Sequence, residues 1–172
     1  MFFLFISTML HSQAKKFQLI PFIISLTITL VIGFVASVFT RPEIPTWYQA
    51  IHKPSFTPPS WLFPIAWTSM YIMIATAAYL VWKRRNRTAF YSFTRGIYFV
   101  QLLLNFSWSI VFFGMHQILG ALVIILLLWV FIIFNLYNFS KFSRAAGWLF
   151  LPYLLWVSYA SVLNFSIYML NR

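Results

Sequence analysis

Five apolar runs of about twenty residues, each closed by a short polar or basic break, dominate this 172-residue chain. Each is long enough to cross the roughly 30 Å hydrocarbon core of a bilayer as a helix. They lie near residues 17–39, 61–82, 93–114, 117–138 and 146–169. Only 8 % of the residues are charged and 62 % are hydrophobic, whereas a water-soluble domain carries about 25 % charge. Such a chain cannot cover its own surface with polar groups, so the expected fold is an all-α bundle of five transmembrane helices. Residues 1–16 read as an N-terminal extension and 17–172 as one transmembrane domain, with no room for a separate soluble unit.

The charges are few but well placed. Nine of the twelve Lys and Arg residues fall at the N-terminus and in the second and fourth connections, against three on the other side. Cytoplasmic loops carry the excess of positive charge, so the N-terminus is expected in the cytoplasm. The basic residues form no continuous stripe, and nucleic-acid binding is not expected. Lys15 and Lys16 follow the short apolar run at residues 1–10, the reverse of a secretory signal, and no Arg-rich amphipathic presequence is visible. A bacterial cell membrane is therefore the expected location.

Much chemistry is excluded by what is missing. The chain has no cysteine and one acid, Glu43, so thiolate metal sites, paired carboxylates and a Ser-His-Asp triad are all out of reach. His11, His52 and His116 fall outside the apolar runs, which disfavours a haem held by helix histidines. Neither a metal nor a resident cofactor is expected.

Aromatic and amide side chains remain, and helical spacing groups them. At 100° per residue, Gln101, Asn105, Trp108 and Phe112 share one stripe of the third run. Tyr153, Trp156, Ala160 and Asn164 share one on the fifth, and Trp67, Tyr71, Ile74 and Ala78 one on the second. Amides facing lipid would lose their hydrogen bonds, so these stripes should turn inward. Inward stripes suit two arrangements, either plain helix packing with amides bonded across helices or a cavity for a flat aromatic ligand. Trp61, Trp82 and Trp148 sit near span ends and read as interfacial anchors.

The first connection, residues 40–60, holds Pro42, Pro45, Pro54, Pro58 and Pro59 beside Trp47, Tyr48 and Phe56. Prolines lower the entropy lost on ordering, which fits a structured lid over the bundle; aromatics resting among headgroups are the alternative. Lys53 or His52 stands where a ligand carboxylate could be met at the mouth. Near the C-terminus, Leu163, Tyr168 and Arg172 match the loose pattern proposed for sterol contact, and an interfacial tyrosine beside a terminal charge accounts for them as well.

Trp47-Tyr48, the stretch Lys53 to Pro59, Trp61 and the run Pro64-Ile65-Ala66-Trp67 form a first motif. Leu104 to Ser109 leading to Phe112-Phe113-Gly114, and Leu151 to Trp156 leading to Ala160 and Leu163-Asn164, form two more. Together they resemble the tryptophan-rich sensory protein family, whose animal members are the translocator protein or peripheral benzodiazepine receptor, over about residues 45–170. The resemblance implies a five-helix bundle, usually a homodimer, with a pocket beneath the first loop that binds porphyrins and synthetic planar aromatic ligands. It also implies that Trp67, Asn105, Trp108, Trp156, Ala160 and Asn164 line that pocket, with Tyr48, Pro58 and Pro59 in the lid. Phe56 stands where many members have Trp, and the first span carries no recognisable motif.

The expected function is that of an integral membrane receptor or sensor for a porphyrin-type tetrapyrrole. Trp67, Trp108 and Trp156 would form walls and Asn105 and Asn164 would orient ring or propionate oxygens. Two rivals stand beside it: light- or oxygen-dependent porphyrin breakdown, with Trp67 and Trp156 as its residues, and transport of porphyrin or sterol. Ion-coupled transport is disfavoured because the spans hold no acid, and no charged residue beyond Arg95 near the start of the third.

Overall fold

The computed structural model describes residues 17–85 and 89–172, all of whose regular structure is helical; the expected extension at residues 1–16 lies outside the described residues. The five long helices are α1 (Leu19–Thr40), α2 (Leu62–Lys83), α3 (Ala89–Ser109), α4 (Ile118–Phe142) and α5 (Arg144–Leu170). A π-helical turn, Ile110–Gly114, prolongs α3 to 26 residues. At 1.5 Å per residue even the 22-residue α1 and α2 reach about 33 Å, enough to cross a bilayer. The five-helix reading of the sequence therefore holds.

The helix ends differ from hydropathy in an understandable way. α3 begins at Ala89, a turn before the expected 93, and α4 runs on to Phe142, leaving Ser143 alone between α4 and α5. Polar residues at these ends keep the helical backbone because their charged tips extend past it. Lys141 Nζ lies 4.2 Å from the Tyr137 ring centre, Arg84 donates from Nη1 to the Phe142 carbonyl at 2.9 Å, and Arg85 rests 3.7 Å over Trp82. Ser143 caps α5 by accepting from the Ala146 N–H.

The neighbour relations form a ring in the order α1, α2, α5, α4, α3 and back to α1. In the most apolar stretch of α1 only 11 % of residues are buried, against 33 % to 44 % in the other helices, so α1 is the helix most open to lipid. Hydroxyls tie it to α2: Ser25 donates to the Ala75 carbonyl at 2.8 Å and Thr29 to that of Tyr71 at 3.2 Å. A Cβ at Gly33 would lie 2.4 Å from Tyr71 Cε2, so glycine here is what lets the tyrosine ring cross α1. Likewise Gly147 brings α5 against α4, where an added Cβ would meet Ser140 Cβ at 2.8 Å.

A polar network crosses the centre of the ring. Tyr71 donates to Asn105 Oδ1 at 2.6 Å, and Asn105 Nδ2 and Gln101 Nε2 both donate to the Tyr153 oxygen, at 2.7 and 2.8 Å. Each of these four side chains is buried, and their bonds link α2, α3 and α5. Packing around them is aromatic, with Phe139, Phe150 and Tyr153 fully buried.

The first connection is ordered by its own chemistry. Trp47–Ala50 makes one helical turn whose open carbonyls are closed by Lys53: its ammonium donates to the carbonyls of Tyr48 (2.6 Å), Gln49 (3.1 Å) and Ile51 (3.0 Å). Three further contacts fasten the connection to the bundle. Asn171 at the end of α5 accepts from the His52 N–H at 3.0 Å and donates to the His52 carbonyl at 2.8 Å. Tyr159 donates to the Phe56 carbonyl at 2.6 Å. Glu43 Oε2 lies 3.0 Å from His116 Nε2, and the Trp47 indole stacks on the same imidazole at 4.3 Å.

Candidate functional site

The site is built where α2, α3 and α5 turn their tryptophans inward beneath the first connection. On α2, Pro64 sits in the first turn, where its missing N–H costs nothing, and Trp67 follows one turn later. On α3, Trp108 stacks on Phe112 with ring centres 5.4 Å apart. The π-helical turn then rotates the chain so that Phe112 and Phe113 are both buried against Trp47 and Tyr48. On α5, Trp156, Ala160 and Asn164 follow one another at helical spacing.

These residues do meet. Tyr48, Trp67, Trp108, Trp156, Ala160 and Asn164 together line one hollow, completed by Phe63, Phe112, Phe113, Leu163 and Ile167. Its volume is about 20 Å³, room for about one water and too little for any ring. A second cavity of about 260 Å³ lies beside it, between α1 and α2 and under the first connection. Tyr48, Phe63, Trp67, Trp108 and Phe113 line both spaces and so form the partition between them. Trp67 is central to that partition, with ring centres 6.0 Å from Trp108 and 6.5 Å from Trp156.

The remaining residues read from the sequence lie elsewhere. Asn105 lines neither space, because both ends of its amide are bonded to Tyr71 and Tyr153 within the central network. Asn164 does border the hollow, yet its Oδ1 accepts from Trp108 Nε1 and its Nδ2 donates to the Ile118 carbonyl, both at 3.1 Å. It orients a wall tryptophan and ties α5 to the start of α4. Pro58 and Pro59 line neither space; the Pro59 carbonyl accepts from the Leu62 N–H as the chain enters α2. Lys53 points its ammonium at three backbone carbonyls and leaves no donor for a ligand.

Two polar atoms bordering the hollow have no partner. The Tyr48 hydroxyl and the Trp156 Nε1 are buried and make no hydrogen bond. A buried donor left unmade costs about 1–3 kcal/mol, so the pair is either a defect or the place where a ligand acceptor sits. Burial first, and the neighbouring Tyr159 second, push the Tyr48 hydroxyl up to about 12, so it keeps its proton at any physiological pH.

Sequence reasoning missed Arg41. It is the charged side chain of the larger cavity, at the end of α1 and exposed, with Ser37, Thr40, Ser60 and Thr68 as polar companions. Its signal was present as a cation on the loop side of a span end, but the first span carried no motif to draw attention to it. Among the described residues no group of acids and histidines is arranged to hold a metal ion.

Comparison with known proteins agrees with this architecture. A family model described as the TspO/MBR family matches residues 25–170. The tryptophan-rich protein TspO of Chlorobaculum tepidum is 40 % identical over 160 residues, covering 90 % of this chain and 98 % of its own. The protein of the same name from Archaeoglobus fulgidus is 41 % identical over 156 residues, covering 90 % of this chain and 99 % of its own. The human translocator protein is 33 % identical over 145 residues, covering 81 % and 83 %. With matches of this length, five membrane-spanning helices in the expected order and tryptophans converging from three of them, the chain belongs to the TspO/MBR family of integral membrane proteins.

Proposed function

We propose that the protein is a membrane receptor for a planar tetrapyrrole such as protoporphyrin, bound beneath the first connection and handled in tetrapyrrole metabolism or stress response. The observation that carries this reading is the pair of unpartnered polar atoms, Tyr48 OH and Trp156 Nε1, at one aromatic-walled hollow. A ligand with a flat apolar body and a few acceptor atoms satisfies both needs at once. Arg41, exposed at the rim and with its guanidinium unpaired among the described residues, suits a propionate carboxylate.

The hollow alone is too small for a macrocycle, so binding joins it to the larger cavity. Trp67 moves aside from the partition as ligand enters, while Trp108 stays held by Asn164, and the first connection closes above the ligand. The protein lies in a bacterial cell membrane with its N-terminus in the cytoplasm, following the nine-to-three distribution of Lys and Arg. Porphyrin quenching of tryptophan fluorescence in nanodiscs is the test. Trp156→Phe and Tyr48→Phe should each weaken affinity about fivefold, the loss of one hydrogen bond, and Arg41→Ala should weaken protoporphyrin more than a porphyrin lacking carboxylates. Unchanged affinity in both aromatic variants would remove the site.

Trp67 and Trp156, with ring centres 6.5 Å apart at the hollow, would be the residues of one further reading, light- and oxygen-dependent breakdown of the bound porphyrin. Illumination of the complex then yields a product with a new spectrum, and changing either tryptophan abolishes it; binding without product leaves the receptor reading in place.

A further inference from the structure

At the basic end of the bundle, far from the tryptophan hollow, α4 and α5 enclose a groove of about 270 Å³ lined by Leu136, Ser140, Arg144, Gly147, Trp148 and Leu151. We propose that this groove holds an anionic phospholipid, its phosphate on Arg144 and one acyl chain along the floor. Close packing at Gly147 makes that floor: with no Cβ, α5 lies directly against Ser140 and the Leu136 carbonyl. Leu136 and Leu151 continue it as an apolar channel.

The groove's polar end matches a phosphodiester. Arg144 is exposed, borders the groove and makes no hydrogen bond or ion pair among the described residues. A guanidinium presents two parallel donors to phosphate oxygens, which a zwitterionic headgroup offers with a competing cation beside them. Lys83, Arg84, Arg85, Arg95 and Lys141 stand at the same end of the helices, where they add to the attraction for an anionic headgroup. Glu43 is the chain's one acidic side chain, and it lies at the opposite end paired with His116. No internal anion therefore competes for Arg144.

Trp148 supports the same assignment. It is 70 % exposed, borders the groove and sits one turn from Arg144, at the depth where an indole meets the headgroup boundary. The lipid's glycerol region would pass between this ring and Ser140.

Native mass spectrometry of the full-length protein, delipidated and then exchanged with dioleoyl-phosphatidylglycerol or dioleoyl-phosphatidylcholine, tests the assignment. The expected result is retention of phosphatidylglycerol over phosphatidylcholine, with Arg144→Ala lowering phosphatidylglycerol affinity about fivefold and Arg144→Lys restoring part of it. Leu151→Trp, which fills the channel without touching Arg144, should lower retention of both lipids while circular dichroism stays unchanged. Equal retention of the two lipids, or no effect of both Arg144→Ala and Leu151→Trp, overturns the proposal. Displacement of the lipid by inorganic phosphate at millimolar concentration overturns it too, since the site would then read a free anion. So does loss of a dimer in Leu151→Trp with lipid retention intact, which would give the groove to a second copy of the chain.

Discussion

Asn164 illustrates how one side chain can shape a hollow through the neighbours it holds. Its carbonyl fixes the Trp108 indole and its amide holds the first residue of α4, so the wall of the hollow depends on it. Hydrogen bonds between membrane helices contribute about 0.6 kcal/mol each and up to about 1.7, so Asn164→Leu should cost about 1–3 kcal/mol, read as a lowered unfolding midpoint in detergent. Tyr153→Phe belongs to the same class but removes the oxygen that accepts from both Gln101 and Asn105. It leaves two buried donors unmade and should destabilise by about 2–4 kcal/mol. The inward orientation of Gln101, Asn105 and Asn164 was legible from helical spacing, because all three are buried as the cost of an amide in lipid demands. Their partners were not, since spacing within one helix carries no information on the register of its neighbours. Asn105 and Asn164 accordingly serve the protein's own hydrogen bonding where a ligand-facing role was expected.

Among the elements, the long first connection and the α4–α5 hairpin respond to different perturbations. The connection depends on Tyr48 keeping its proton within its aromatic cluster. An unfolded tyrosine ionises near 10 and Tyr48 near 12, so the unfolded chain binds fewer protons between those values. The stability this group contributes is thus complete below pH 10 and is lost as pH rises from about 10 to 12. Thermal unfolding across that window should fall more steeply for the native chain than for Tyr48→Phe. Asn171→Ala, which frees His52 at the other end of the connection, should raise proteolysis between residues 50 and 60 while leaving the helices intact. In the hairpin, Gly147→Val forces a side chain into Ser140 and the Leu136 carbonyl and should destabilise by about 1–3 kcal/mol. Hydropathy located the five long helices because lipid demands twenty apolar residues of each, yet it could not find the π-helical turn or the turn at Trp47–Ala50. The two turns pack on each other through Phe112, Phe113, Trp47 and Tyr48, a contact that no periodicity records.

For the whole molecule, the ring order places α2, α3 and α5 around a shared centre and leaves α1 packed on α2 with most of its surface open to lipid. That order is invisible in span lengths, and it explains why the larger cavity opens beside α1, a helix that carries no recognisable motif. In the proposed function, ligand enters through the partition of aromatic rings between the two spaces, and Trp67 and Trp156 would report its entry. The direct measurement is the indole N–H spectrum of ¹⁵N-tryptophan-labelled protein titrated with protoporphyrin in nanodiscs. Trp156 should shift as its Nε1–H gains an acceptor, Trp67 should shift as it leaves the partition, and Trp108, held by Asn164, should move least. Saturating porphyrin that leaves the Trp67 and Trp156 signals where they stand in the free protein would contradict the account.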